Sequence, residues 1–198
     1  TAYEIPKRDW SSDVCSSDLA FVVNGDARSA MADRARAFAV RIGDGWRAHV
    51  RHRTSGRLGD AAAFARWLSE AEPDVVYVLD MALAGVAASS WHRWRRPARL
   101  IIDTGDAITA LARSLRGPLG LAATAALERL GLARADHVVV RGSFHAELLA
   151  GQGIASTVIP DGVDLGVFAP RDGLAARAAL RSEEHTSELQ SRFGISYA

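Results

Sequence analysis

The chain has 198 residues, of which 48% are hydrophobic and 24% are charged, and its formal net charge is +1. This size fits one domain, or one domain and a part, and the near-neutral charge gives no general argument for binding nucleic acid. The single cysteine excludes a disulfide scaffold and a cysteine-rich zinc site. Every charge-free run in the sequence, including the apolar residues 117–127, is shorter than the ~20 residues that a membrane span needs.

The two ends of the chain differ in character from its middle. Residues 9–19 read DWSSDVCSSDL, and residues 181–191 read RSEEHTSELQS. One DNA sequence can encode the second segment while its reverse complement encodes the first, and that DNA resembles a short-read sequencing adapter. We therefore interpret residues 1–19 and 181–198 as adapter-derived and non-native and exclude them from fold reasoning; the alternative is a genuine, unusual pair of termini. The residues of distinctive chemistry excluded in this way are Trp10, Cys15 and His185.

The remaining core, residues 20–180, contains arginine as its only strongly basic residue and has no cysteine. The absence of lysine excludes a P-loop lysine and a Schiff-base lysine. The absence of cysteine excludes thiol catalysis and thiolate metal sites.

The first half of the core alternates between apolar runs and helical spacings. A short apolar run ends at a glycine-containing turn, as buried strands do. The next segment carries apolar residues at helical spacing, after a serine N-cap and before a glycine stop. The predicted elements, in order, are strand Ala20–Asn24, helix Ser29–Ile42, edge strand Trp46–Arg53, helix Asp60–Ala71 capped by Asp60, and strand Asp74–Asp80.

The second half continues the alternation. Most of its strands are continuous apolar runs, which is typical of a parallel sheet covered on both faces. The pattern therefore predicts an α/β fold, a doubly wound Rossmann-like parallel sheet with helices on both faces. The predicted elements are helix Ala82–Trp94, strand Arg99–Asp103, helices Ala107–Leu115 and Leu119–Leu132, strand Asp136–Val140, helix Ser143–Ala150 and strand Thr157–Ile159.

Polar and glycine-containing turns follow several of the predicted strands. Right-handed crossovers place all carboxyl ends of a parallel sheet at one edge, where such folds bind ligands. Glycine lets a backbone approach a ligand, helix N-termini favour anionic groups, and carboxylates can accept hydrogen bonds from sugar hydroxyls. Ordinary turn formation and helix capping are the alternative roles for each of these residues. The candidate substrate-binding residues at this edge are Gly25, Asp26, Asp80, Asp103, Thr104, Asp106, Arg141, Ser143 and His145.

Three other patterns are weaker. Residues 43–48 fit G-x-G-x-x-A, but they follow a helix and precede a strand, the reverse of a dinucleotide-binding turn. His49 and His52 point to opposite faces of one strand, and the core has no Asp-x-Asp triplet, so we expect no metal site. The basic, aromatic segment 91–96 fits contact with an anionic membrane surface or a lipid phosphate. It also fits a helix end with solvated arginines and two tryptophans partly in the core, which we favour.

The most specific signal lies in residues 135–170, which read ADHVVVRGSFHAELLAGQGIASTVIPDGVDLGVFAP. This segment closely resembles the end of the N-terminal domain of family 4 GT-B glycosyltransferases. There, an AD-x-VVV-S strand and a helix precede an IPNGVD…F-x-P segment. Asp161 stands where asparagine is usual, and residues 141–143 depart slightly from the family pattern. The resemblance covers nearly all of residues 20–180 and is only fold-level outside its last part.

The resemblance implies an enzyme that transfers a sugar from a nucleotide sugar to an acceptor, with retention of the anomeric configuration and with no metal or other cofactor. It implies that residues 20–170 form the N-terminal GT-B domain, which holds a sugar or lipid-linked acceptor. Residues 171–180 would begin the interdomain linker or the second domain, which binds the nucleotide sugar and is missing here. We therefore expect the chain alone to be inactive. Many relatives have a histidine after the fourth strand, near the reacting sugar; residues 103–106 contain none, and Asp106 is the catalytic candidate in its place.

The expected location is cytoplasmic, with peripheral contact at the inner face of the membrane left open. The alternative function is a standalone doubly wound ligand-binding or receiver-like domain without catalysis. A dehydrogenase is disfavoured because no glycine fingerprint joins a strand to a helix.

Overall fold

The computed structural model describes residues 17–54, 56–115 and 117–162. The strands in this part of the chain are β1 (Ser17–Val23), β2 (Trp46–His52), β3 (Val75–Leu79), β4 (Arg99–Thr104), β5 (His137–Val140) and β6 (Thr157–Val158). The helices are α1 (Ala30–Arg41), α2 (Arg57–Ala71), α3 (Leu83–Arg95), α4 (Ile108–Leu115), α5 (Pro118–Arg134) and α6 (Ser143–Ala150).

The strands form one sheet in the order β2-β1-β3-β4-β5-β6, and every neighbouring pair is parallel. The chain passes from β1 to β2 in one direction and then crosses β1 to reach β3, so the strand order reverses between β1 and β3. In open α/β sheets, ligands bind outside the carboxyl ends of the strands at such a reversal. The predicted α/β class is confirmed, and this crevice is where a site is expected.

Each face of the sheet has its own apolar cluster. On one face, Val22, Val78 and Ile102 are fully buried beneath helices that include α2, α3 and α5. On the other face, Phe21 and Tyr77 pack against Phe38 of α1, with ring centroids 5.3 Å apart for Phe21–Tyr77 and 5.8 Å apart for Phe38–Tyr77. The continuous apolar runs of the strands are explained by this two-sided burial.

The first residues of α1 and α2 test the two predicted helix caps, Ser29 and Asp60. Ser29 caps α1 as predicted, because its Oγ accepts a hydrogen bond from the amide of Ala32 at 3.2 Å. The predicted cap at Asp60 is wrong, since α2 begins earlier, at Arg57. The Asp60 carboxylate is buried and accepts a hydrogen bond from the amide of Thr54 at 2.9 Å, so it holds the loop between β2 and α2.

Strand β1 begins three residues earlier than predicted. Leu19 is only 4% exposed and belongs to the core, and residues 17–19 pair in register with residues 46–48 of β2. These three residues, which we had set aside with the N-terminal segment, are therefore part of the sheet. The chain divides into two compact units between Asp161 and Gly162. The predicted boundaries after residues 170 and 180 lie outside the described residues.

Within the ranges that the structure describes, no helix is long and apolar enough to cross a bilayer.

Candidate functional site

Asn24 lies at the strand reversal between β1 and β3. Its side-chain amide donates a hydrogen bond to the carbonyl of Asp80 at 2.6 Å, and its Oδ1 accepts one from the amide of Gly85 at 2.9 Å. A Cβ on Gly85 would lie 2.5 Å from Nδ2 of Asn24, so only glycine fits there without displacement. The asparagine thus joins the end of β1 to the end of β3 and to the first turn of α3.

The two candidates that follow Asn24 serve the turn into α1. A Cβ on Gly25 would lie 2.2 Å from Oγ of Ser29, so glycine is needed here for the chain's own turn. The carboxylate of Asp26 accepts a hydrogen bond from the amide of Arg28 at 2.8 Å. Asp26 is nevertheless exposed, so its carboxylate retains a side open to solvent.

Asp80 adopts a left-handed backbone conformation, with φ of 70°. Such a conformation is uncommon for a residue other than glycine and is a form of strain that clusters at functional sites. Its Oδ1 accepts a hydrogen bond from the amide of Met81 at 3.0 Å, and its side chain is half-buried at the strand reversal. The predicted candidate therefore lies inside the crevice.

Asp103 lies in a buried charge pair beneath this edge. Its Oδ2 is 2.8 Å from Nε of Arg34 and accepts a hydrogen bond from the Tyr77 hydroxyl at 2.9 Å. The side chains of Arg34 and Asp103 are only 6% and 0% exposed. Burial raises the pKa of the Tyr77 hydroxyl above its ordinary value, and the adjacent Asp103 carboxylate raises it further. Asp103 is sealed from solvent, so it can position other residues but cannot itself meet a ligand.

Arg34 also holds the segment that follows β6. Its guanidinium donates to the carbonyls of Ile159 at 2.8 Å and Pro160 at 3.2 Å, and it pairs with Asp161 at 3.0 Å. One side chain therefore links α1, β4 and the segment after β6. Arg34 was not among the predicted site residues. The available signal was its position in the apolar stripe of α1, three residues after Met31 and four before Phe38.

Arg141 lies against the same cluster at longer range. Its Nε is 3.9 Å from Oδ1 of Asp103 and 3.7 Å from Oδ2 of Asp161. Within the described part of the chain, neither this Nε nor Oδ1 of Asp103 has a hydrogen-bond partner. A Cβ on Gly105 would lie 2.6 Å from the Arg141 guanidinium, so the loop after β4 has space for this arginine only because it carries glycine.

The remaining candidates divide by exposure. The Thr104 hydroxyl is buried and donates to the carbonyl of Asp106 at 2.9 Å, which fixes the loop after β4. Asp106 and Ser143 are both exposed at this edge. His145 is buried, and its Nδ1 has no hydrogen-bond partner among the described residues. Burial lowers the pKa of His145, while the nearby charges of Glu128 and Asp106 oppose that shift.

All nine predicted candidates lie at or after the carboxyl ends of the strands, but they differ in their exposure to solvent. Asp26, Asp106 and Ser143 are exposed. The buried candidates are Asp103, Thr104 and His145. Among the described residues, no group of three or more histidine, cysteine or acidic side chains could hold a metal ion.

Comparison with known proteins gives the family. The model of the glycosyl transferase 4-like domain matches residues 5–162, which is most of the chain. The chain belongs to the glycosyl transferase 4-like domain family. The match begins inside the N-terminal segment that we had set aside, so part of that segment aligns with the family. No protein of curated function matches the sequence.

The solved structures that share the fold of this glycosyl transferase 4-like domain include two enzymes. The first is a sucrose-phosphate synthase from Thermosynechococcus elongatus, with a TM-score of 0.64, 12% identity, and coverage of 84% of this chain and 53% of that chain. The second is a UDP-N-acetylglucosamine 2-epimerase, with a TM-score of 0.57, 12% identity, and coverage of 79% and 52%. At this identity the likeness shows the fold alone. The chain spans about half the length of both structures.

Proposed function

We propose that this glycosyl transferase 4-like domain is the acceptor-binding half of a retaining glycosyltransferase. The observation that carries the proposal is the polar rim at the carboxyl edge of the sheet, where Asp80, Asp106 and Ser143 remain accessible. Carboxylate and hydroxyl oxygens at such a rim match the hydrogen-bonding groups of a sugar. The family match and the half-length coverage of the solved structures support the same assignment.

The rim owes its shape to the groups beneath it. Asp103, held by Arg34 and Tyr77, anchors the end of β4, and the Thr104 hydroxyl fixes the next turn. Asp106 is therefore presented by a loop whose base is immobilised, which is what a carboxylate needs to orient a reacting hydroxyl. We propose Asp106 as the catalytic carboxylate of the acceptor side, with Asp80 and Ser143 contacting the acceptor.

The second part of the proposal concerns the sugar donor. We propose that a nucleotide sugar is bound by a further domain of the intact enzyme, that no cofactor or metal takes part, and that the enzyme acts in the cytoplasm. The 198-residue chain would then bind an acceptor without turning it over.

Ligand-observed NMR on the full chain tests these points. The probes are D-glucose, N-acetylglucosamine and UDP-glucose, and the variant is Asp106→Asn. Its matched control is Asp44→Asn, an exposed carboxylate in the turn before β2, at the amino edge of the sheet. We expect saturation transfer to a free sugar, weaker transfer in Asp106→Asn, and no change in Asp44→Asn.

Two results would contradict the proposal. Sugar transfer by this chain alone would show that it is not half of an enzyme. Tight binding of UDP-glucose, with no binding of free sugars, would favour the alternative of a standalone ligand-binding or receiver-like domain without catalysis.

A further inference from the structure

Helix α3 exposes two tryptophans. Trp91 is 46% exposed and Trp94 is 71% exposed, so the expectation that both lie partly in the core is wrong for Trp94 and holds only in part for Trp91. Their ring centroids are 5.2 Å apart, and the guanidinium carbon of Arg95 lies 5.3 Å from the centroid of the Trp91 ring. The three side chains line a shallow depression of about 410 Å³ on the last turns of the helix.

The tryptophans extend an apolar stripe along the outside of α3. Leu83 in the first turn is 45% exposed and precedes Trp91 by eight residues, the helical repeat of one face. From Leu83 to Trp94 the stripe is about 16 Å long, at ~1.5 Å per residue. The inner face of the same helix contacts the sheet through buried residues such as Val86 and Ala88. Both faces of α3 are therefore apolar, although only one is covered by the domain.

The neighbouring helix α5 has the same character. Leu119 is 88% exposed and Leu130 is 40% exposed, and both lie outside the core that α5 shares with α3. The exposed charges of α5 are Arg129 and Arg134. Its one acid, Glu128, is half-buried. We call the outward side chains of these two helices, with Leu83, Trp91, Trp94 and Arg95 on α3 and Leu119, Arg129, Leu130 and Arg134 on α5, the α3–α5 face.

The α3–α5 face carries charge of one sign. Along α3 and α5, every exposed charged side chain is an arginine. The acids that border the face have partners: Asp136 pairs with Arg93 at 2.6 Å, and Glu72 pairs with Arg96 at 2.5 Å. Asp74, next to Glu72, accepts a hydrogen bond from the amide of Asp18 at 2.9 Å. Within the residues that the structure describes, Arg95 makes no ion pair, and its guanidinium lies over the Trp91 ring. Exposed indoles and leucines between unneutralised arginines complement a surface that is apolar below and anionic at its boundary.

We propose that the α3–α5 face docks the domain onto an anionic lipid bilayer. Indole rings partition to the interface between headgroups and acyl chains, and the arginines meet the lipid phosphates. A second copy of this chain fits less well, because a two-fold contact through this face would oppose arginines of like charge. The tryptophans lie at the end of α3, near the amino edge of the sheet, so docking leaves the carboxyl edge accessible. This proposal does not depend on the proposed function.

Vesicle co-sedimentation of the full 198-residue chain tests the proposal. The vesicles are phosphatidylcholine alone, or phosphatidylcholine with about a third phosphatidylglycerol. We expect binding to the anionic vesicles, a blue shift of tryptophan emission, and release when the salt concentration is raised to about 0.5 M. Trp94→Ser should weaken binding about tenfold or more, and Arg95→Gln about fivefold, the effect of one arginine near an anionic surface.

The matched controls lie on α1, on the other side of the sheet. Val40→Ser removes an apolar side chain that is 81% exposed, and Arg41→Gln removes an exposed arginine. Both should bind vesicles like the parent chain. Sedimentation equilibrium completes the design, because it measures self-association by the same face.

Each other outcome overturns the proposal. Equal losses in the α1 variants would mean that binding is general adsorption. Equal binding to both vesicle types would remove the role of the arginines. Dimerisation that Trp94→Ser abolishes, with no vesicle binding, would assign the face to a second copy instead. Correct folding of each variant is checked by its circular dichroism and its unfolding midpoint.

Discussion

Arg34→Met is the substitution that should most disturb the domain. Methionine keeps a long unbranched side chain but lacks the guanidinium, whose carbon lies 4.8 Å from the centroid of the Phe38 ring. It removes the nearer of the two guanidinium groups beside the fully buried Asp103 and leaves Arg141, whose Nε is 3.9 Å from Oδ1 of Asp103. The carboxylate would keep only the Tyr77 hydroxyl as a hydrogen-bond donor at 2.9 Å.

The expected cost follows from that geometry. Removing one partner of a buried ion pair costs about 3–5 kcal/mol. The retained Tyr77 hydrogen bond favours the lower part of this range, while the lost bonds to the carbonyls of Ile159 and Pro160 add to the cost. We expect a loss of about 3–4 kcal/mol from a total stability of about 5–15 kcal/mol. With a urea m-value of about 2 kcal/mol/M, the unfolding midpoint falls by about 1.5–2 M.

Urea unfolding followed by far-ultraviolet circular dichroism measures this loss. The control is Arg36→Met on the same helix, whose pair with Asp33 is solvent-exposed and should be worth only about 0.3–0.5 kcal/mol. The double variant Arg34→Met/Asp103→Asn should be more stable than Arg34→Met, because it removes a buried charge that has lost its closest partner. If Arg34→Met loses no more stability than Arg36→Met, the buried Arg34–Asp103 pair does not stabilise the domain.

Three further predictions follow from other contacts. Arg141→Ser and Asp161→Asn introduce the residues that are usual in the family at these positions. In a double-mutant cycle they should show a coupling free energy of about 0.5 kcal/mol, because the charged atoms of Arg141 and Asp161 are 3.7 Å apart at a partly exposed position. Strictly additive losses of stability in urea unfolding would contradict this coupling. Gly85→Ala should destabilise the domain by about 1–3 kcal/mol through overpacking, whereas Gly43→Ala, with open space around its Cβ, should be nearly neutral in thermal unfolding. Because the folded-state pKa of His145 lies below 6.5, the unfolded chain binds more protons there, so stability should fall as pH drops below about 6.5. His145→Gln should reduce that slope between about pH 6.5 and 5, and an unchanged slope would exclude this histidine as a contributor.

The fold was predictable because strands that are buried on both faces of a sheet are continuous apolar runs in the sequence. Residues 75–79 and 100–102 are uninterrupted apolar runs, and both lie in central strands. The parallel order then placed the candidate residues at one edge without any knowledge of tertiary contacts. Helix starts were less certain, because a carboxylate such as Asp60 can satisfy a loop amide as readily as a helix terminus.

The polar layer beneath the site was not predictable in the same way. Arg34 interrupts an apolar stripe, and periodicity alone cannot tell a snorkelling arginine from one that is buried with a partner 69 positions away. Asp103 lies at the end of β4 and Asp106 follows it by three residues, and the sequence made both of them candidates for substrate binding. In the structure, Asp103 is buried and Asp106 is exposed, so only the second is available to a ligand.

The Arg34 guanidinium also has a consequence for local opening of the chain. Strand β6 has only two residues, both exposed, and lies at the border of the sheet, where fraying is expected first. Its continuation at residues 159–161 is held by the same guanidinium that neutralises Asp103. For β6 and residues 159–161 to detach from the sheet, the contacts of Arg34 with Asp103 of β4 must therefore break as well. We expect this edge of the sheet to open together with α1 and β4 and not as a separate, weaker unit. The amides around residue 159 should exchange with solvent as slowly as those of the central strands.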